Sequence, residues 1–244
     1  MDRLIYTALS GATHSLMEQQ ISANNLANVN TGGFRSDIAL SQSDQVQGPG
    51  FATRFMSAEN QSGIDDSTGI PEKTDRPLDV AISGKGYIAV LDSSGKEVYT
   101  RNGNIQQNDQ GQLTINGHPV LGDNGPIVLP PNAMASFGTD GTLSVTPDDG
   151  DVKGTMDVDR LKLVNIPVNN LAKNPEGMLV TANGAPAPVD EEIKVSGGYL
   201  ESSNVSAIGE MMASISLNRQ FESQIKMMKA AEDLSDYGNR LLEG

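Results

Sequence analysis

Residues 24–35 read NNLANVNTGGFR. Four asparagines and two glycines crowd the end of an apolar-periodic run that begins with the first residues of the chain. Asparagine is a poor helix former, because its side chain competes for nearby backbone groups. Upstream of it, Ile5, Leu9, Ala12, Leu16, Gln19, Ala23 and Leu26 recur at alternating spacings of four and three. That is a heptad seam with one polar interruption. Asp2 suits the start of a helix reaching Asn28, and Gly32 suits the region just past its end. At 1.5 Å per residue the helix is about 40 Å long. Alone in water it is marginal, so the pattern predicts a partner helix.

The other end of the chain supplies one. From Ser203 to Leu242 there is no proline, and Gly209 is the only internal glycine before Gly238. Ile208, Met211, Met212 and Ile215 share one face, while Leu217, Phe221, Ile225, Met228 and Ala231 fall on a broadly different one. Two apolar faces predict two neighbours: the first helix and a second chain. A single helix buried in a bundle is the alternative, but the sequence offers no third long helix to build that bundle.

Between these ends the period changes. YIAVLD (87–92), EVYT (97–100), QLTIN (112–116), PIVLP (126–130), TLSVT (142–146), RLKLVNI (160–166) and MLVT (178–181) read as short strands. RLKLVNI alternates most clearly. Asn102-Gly103, Asn116-Gly117, Asn124-Gly125, Asp140-Gly141, Asp149-Gly150 and Asn183-Gly184 separate them, pairs that accept the positive φ of tight hairpins. Residues 36–75 are polar and without a clear period, apart from a candidate strand near Gly50–Phe55. The expectation is an α+β fold: N-terminal helix 1–31, extended connector 32–75, all-β domain 76–197 and C-terminal helix 198–244, with the two helices pairing as a coiled coil.

Composition narrows the function. Apolar residues at 37% and aromatics at 4%, without tryptophan, are low for an enzyme of 244 residues. A net charge of −14 argues against nucleic-acid binding, which needs a basic stripe. The charge is concentrated centrally: residues 1–35 are neutral and 200–244 carry −3, leaving −11 between. More neutral ends suit segments that pack against something. The chain has no cysteine, so no disulfide or thiolate-ligated zinc is possible. No apolar run is long enough to span a membrane. The opening MDRLIYTALSGATHSLMEQQ does not read as a cleaved secretory signal, so any export is expected to use another route.

Catalytic constellations are missing. His14 and His118 are the only histidines, too few for a catalytic zinc site. There is no GxSxG elbow or Walker loop. Gly84-Lys85-Gly86 precedes a strand, not a helix, and reads as a hairpin turn. Asp148, Asp149 and Asp151 around Gly150 do not follow the spacing of a calcium loop and read as an acidic surface turn. No cofactor is expected.

Five segments carry a resemblance. MDRLIYTALSGA and ANNLANVNTGGFR (23–35) look like the opening of the flagellar basal-body rod proteins. GYLESSNVSAIGEMMASISLNRQFES (198–223) resembles the closing motif of that family. RPLDVAISGKGYIAV (76–90) and YTRNGNIQQNDQGQLTINGHPVLGDNGPIVLP (99–130) resemble the β domain that rod and hook proteins share. The opening and the modest length are most similar to a proximal rod member. Phe221 stands where tyrosine is common, and Asn218 where glutamine is usual.

The resemblance implies a structural, non-enzymatic subunit of the rod that crosses the periplasm and links motor to hook. It implies export by the flagellar type III apparatus, self-assembly with other rod proteins, and terminal helices lining an inner tube. A distal rod or other axial protein, or an extracellular β-rich binding module, are the alternatives. On the N-terminal side the expected assembly interface holds Ile5, Leu9, Leu16, Asn24, Asn25, Leu26, Asn28, Asn30, Gly33 and Phe34. On the C-terminal side it holds Asn204, Ile208, Met211, Met212, Ile215, Arg219, Phe221, Glu222, Ile225 and Met228. The asparagines are expected to fix register, since a buried asparagine left unpaired costs about 1–3 kcal/mol.

Overall fold

Helix α1 spans Asp2–Ala27 and helix α2 spans Ala207–Glu243 in the computed structural model, which describes residues 2–45, 55–130, 133–147 and 155–243. The chain divides into two compact units. One holds Met1–Val29, Asp37–Gly63 and Val205–Gly244; the other holds Asn30–Ser36 and Ile64–Asn204. The candidate strand near Gly50–Phe55 lies, but for Phe55, outside the described residues, as do Asp148, Asp149, Gly150 and Asp151.

In the first unit α1 and α2 pack together. Gly11 lies beside Gln224, while Ser22 and Asn25 bond to Glu210. One helix therefore advances as the other recedes, and the pair is antiparallel. On α2, Glu210, Ser214, Leu217, Phe221, Gln224, Met228, Ala231, Ser235 and Gly238 are all buried or half-buried, at strictly alternating spacings of four and three. The matching line on α1 is Ala8, Ala12, Ser15, Gln19 and Ser22. This corrects the seam expected from the sequence. Of its seven residues only Ala12 is buried, and Leu9 and Leu16 are exposed. The physical reason is size: alanine, serine and Gly11 let the helices approach closely, and a Cβ at Gly11 would already stand 2.9 Å from the Gln224 amide.

The asparagine-rich end of α1 has its own logic. A helix leaves its last carbonyls without partners. The Asn28 amide reaches the carbonyls of Asn24 (3.2 Å) and Asn25 (3.1 Å), and Asn28 Nδ2 donates to Asn24 O at 3.0 Å. Residues Asp37–Gln45 and Phe55–Ile64 then form a two-stranded sheet. The connector thus carries strands where the sequence showed no period.

The second unit is β-rich. Its central sheet has five antiparallel strands in the order 163–164, 87–91, 97–100, 179–181, 171–173. Alternation sends Ile88, Val90 and Val98 into one apolar cluster and Tyr87, Ala89 and Tyr99 into another. Both faces are covered, which is how so few aromatics suffice. A separate three-stranded sheet of Ala133–Phe137, Thr142–Pro147 and Met156–Arg160 adds Ala135, Phe137, Leu143 and Val145 to the first of these clusters.

Most of the strands foreseen between 87 and 181 form, with three differences. RLKLVNI is not one strand: Arg160 pairs with Thr142 in the three-stranded sheet, and Leu163 pairs with Ile88 in the five-stranded one. PIVLP contributes only the end of a short strand at Gly125–Pro126 and a bridge at Val128. Gly84-Lys85-Gly86 is a turn but not a hairpin, since Val80–Ser83 pairs with Lys194–Gly197, away from the sheet of Tyr87–Leu91. Asn116 and Gly117, at φ 53° and 85°, make the expected tight hairpin between Leu113–Ile115 and His118–Pro119.

Candidate assembly surface

Helix α1 turns small residues inward and leaves large apolar ones facing out, while α2 turns Leu217, Phe221 and Met228 toward α1 and leaves a second apolar set exposed. On α1 these are Tyr6, Leu9 (46% exposed), Leu16 and Met17. On α2 they are Ile208 (73%), Met211, Met212 and Ile215, followed by Ile225, Met227, Leu234, Tyr237 and Leu241. Scattered apolar side chains are normal on a protein surface, but a concentration on one helix pair marks an interaction site. Covering one such side chain contributes about 1.5–3 kcal/mol, against about 0.3–0.5 kcal/mol for an exposed helical ion pair. Any neighbour would therefore be held by these residues and not by Arg219 or Glu222, which are exposed beside them.

The other foreseen interface residues divide into three groups. Phe221 and Met228 lie half-buried on the face of α2 turned toward α1, and Ile5 and Leu26 are also half-buried. Asn24 and Asn30 are exposed. Asn25 is buried and fully engaged within the chain: Nδ2 donates to Asp37 O (3.0 Å) and Glu210 Oε1 (3.1 Å), and Oδ1 accepts from the Asp37 amide at 2.9 Å. It ties the end of α1 to the start of α2 and to the strand that follows.

Gly33, Phe34 and Asn204 belong to the second unit. Gly33 has φ 68°, and a Cβ there would come within 2.3 Å of Arg101 C and Asn102 N. Only glycine fits. The Lys173 ammonium sits 4.3 Å from the Phe34 ring centre and donates to Arg35 O at 2.7 Å. Asn204 Oδ1 accepts from the Ser36 amide (2.8 Å), and its Nδ2 donates to Asp65 O and Ser67 O (3.2 Å each).

Sequence reasoning did not single out the ionic cluster beside these residues. Glu201 Oε1 lies 2.7 Å from Arg35 Nη1 and accepts from the Gly69 amide at 2.8 Å, and its Oε2 lies 2.8 Å from Arg101 Nη2, both arginine contacts being ion pairs. Arg35, Arg101 and Glu201 are 2%, 2% and 3% exposed. Arg101 also donates to Gly86 O (2.8 Å) and Gly84 O (2.7 Å). Burial pulls its guanidinium below the ordinary value, Glu201 opposes this, and Arg35 adds to it. The same unit carries an open cleft of about 930 Å³ lined by Glu97, Lys162 and Asp123 among others. Glu97 is held there by Lys162 at 2.7 Å and by the Tyr99 hydroxyl at 3.0 Å.

Residues 5–35 match the family described as flagella basal body rod protein, and residues 196–241 match the flagellar basal body rod FlgEFG protein C-terminal family. Residues 81–145 match the flagellar hook protein FlgE/F/G D1 domain. The chain is 38% identical to the flagellar basal-body rod protein FlgF of Escherichia coli K12 and 39% identical to that of Salmonella typhimurium LT2, each alignment covering 99% of both chains. It is 31% identical to the rod protein FlgG of Caulobacter vibrioides, over 93% of this chain and 95% of that one. The chain belongs to the flagellar basal-body rod protein family.

As a FlgF-like rod protein it has structural relatives, and the binding-module reading gains no support from them. The three matched segments of this rod protein each supply one member of the buried cluster: Arg35, Arg101 and Glu201. A sequence signal was present. Each of these charges stands within a segment quoted for the resemblance, but an arginine and a glutamate far apart in sequence do not announce each other. No described helix of this rod protein is long and apolar enough to cross a membrane.

Proposed function

We propose that this chain is a structural subunit of the proximal part of the flagellar rod. It assembles with copies of itself and with other rod proteins into the shaft that carries torque from motor to hook. The outward apolar faces of α1 and α2 are the contacts, and the helices continue the heptad pattern as coiled-coil-like pairs with neighbouring subunits. The observation that carries this is the apolar surface left over once the pair has formed: α1 packs through Ala8, Ala12 and Ser15 and α2 through Leu217, Phe221 and Met228, while Leu9, Leu16, Ile208, Met211, Met212 and Ile215 stay exposed. A helix pair built to stand alone would have one apolar face on each helix, not two.

The 38% and 39% identity to the FlgF proteins of Escherichia coli and Salmonella typhimurium, along 99% of both chains, supports the proximal position. The subunit leaves the cell body through the type III export apparatus, its helical ends unfolded in transit. It acts in the basal body without catalysis or cofactor. Counting copies in purified hook–basal bodies by quantitative mass spectrometry tests the position. A handful per particle supports a short proximal segment; tens move the chain to the distal rod; absence from intact particles overturns the rod reading.

A further inference from the structure

The two stretches through which the chain leaves the β-rich unit toward its helices, 33–36 and 201–204, are held there in unequal ways. The later stretch is anchored independently: Tyr199–Glu201 pairs with Pro71–Lys73, Ser202 N donates to Ile70 O at 2.9 Å, and Thr74 N to Gly198 O at 2.9 Å. The earlier one lies in no strand. Gly33 N donates to Glu201 O (2.8 Å), Asn204 N to Phe34 O (3.3 Å), and Ser36 N to Asn204 Oδ1 (2.8 Å). Three of its backbone contacts are therefore made to the later stretch. Further ties are the Lys173 bond to Arg35 O, its ammonium over the Phe34 ring, the close approach of Gly33 to Arg101 and Asn102, and the bond from Asp65 N to Ser36 O (2.9 Å).

Charge enforces the same order. Arg35 and Arg101 are buried together, and Glu201 is the carboxylate that touches both. Without Glu201 two guanidinium ions share a site shut off from water, where like charges repel strongly. Without Arg35, Glu201 and Arg101 remain as a matched pair. Beside the cluster, the neutral Tyr87 hydroxyl donates to Asp66 Oδ1 at 2.9 Å, and the other Asp66 oxygen pairs with Lys85 at 3.2 Å.

We propose that Arg35, Glu201 and Arg101 form a one-way latch, in which residues 33–36 dock on the β-rich unit only after residues 199–204 are in place. The first-made end of the subunit thus closes last, and a chain whose C-terminal segment has not yet docked keeps its N-terminal segment free. The latch rests on the geometry of the β-rich unit alone and stands whether or not the subunit occupies the proximal rod.

Hydrogen exchange by mass spectrometry on the full-length chain tests it, with Glu201→Gln, Arg35→Gln and the double variant. In Glu201→Gln the amides of Gly33 and Ser36 lose at least tenfold in protection while those of Val90 and Val98 keep theirs. Arg35→Gln loses less at the same amides, and the double variant recovers at least threefold over Glu201→Gln, because one buried cation has gone. Equal losses in the two single variants without recovery in the double, or a uniform loss across the β strands, overturn the latch. If Glu201→Gln does not fold, Arg35→Gln decides. Its Gly33 and Ser36 amides lose protection while Thr74 and Ser202 keep theirs; loss in both pairs, or in neither, overturns the proposed order.

Discussion

Asn25 shows how far a single residue can be read. Its poor helix propensity and its place at a helix end mark it as a residue with a task, and that much is visible in the sequence. Its partners are not, because Asp37 and Glu210 lie 12 and 185 residues away. The structure gives it three hydrogen bonds in a buried site, so Asn25→Ala removes a partner from the Asp37 amide, from Asp37 O and from Glu210. The expected cost to the helical unit is about 1–3 kcal/mol, read from urea unfolding followed by helical circular dichroism. Asn28→Ala removes an exposed bond to Asn24 O rather than a buried network and should cost less, about 0.5 kcal/mol. Equal effects at the two positions contradict the assignment. Glu201 went unnoticed for the converse reason. A carboxylate beside Ser202 and Ser203 looks like a surface group, and only the meeting of Arg35 and Arg101 from distant segments makes it a buried one.

At the scale of the helices, periodicity was legible and phase was not. A spacing of four and three fits two lines on α1, one through Ile5, Leu9 and Leu16 and one through Ala8, Ala12 and Ser15. Ranking by hydrophobicity selects the first, whereas close helix approach selects the second. The strands were legible where a turn residue with a positive φ preference closed them, as at Asn116-Gly117. They were misread where one alternating run served two sheets, as at Arg160–Leu163. The inverted seam makes opposite demands on neighbouring positions. Ala12→Leu overpacks the helix contact and should destabilise the isolated helical unit by about 1–3 kcal/mol. Leu16→Ala should change the isolated subunit by about 1 kcal/mol at most and instead reduce incorporation into rods. Thermal melts of the subunit together with a count of incorporated copies check both. A larger stability loss for Leu16→Ala than for Ala12→Leu would restore the original seam.

For the whole molecule, the order helix, connector, β region, helix was legible from changes of period alone. The division into two units was harder, because each unit is assembled from separate stretches of chain. The low aromatic content is explained by a sheet covered on both faces with small aliphatic side chains. The seam of the helical unit is alanine- and serine-lined on α1 and largely half-buried on α2, while the β-rich unit has two fully buried apolar clusters. Local unfolding should therefore begin in the helices. Limited proteolysis of free subunits should trim α1 and α2 and cut within residues 37–63, leaving a resistant core bounded by about Ile64 and Asn204. Equal resistance along the chain would show that the helix pair is as stable as the core.

The central claim is that the outward apolar face of the helices is covered by neighbouring subunits in the rod. The chain lacks cysteine, so a thiol placed at exposed Met212 reports on that face without background. The measurement is maleimide labelling of Met212→Cys in the free subunit and in purified hook–basal bodies. The account predicts rapid labelling of the free subunit and strong protection in the particle. Labelling at the same rate in both would contradict it.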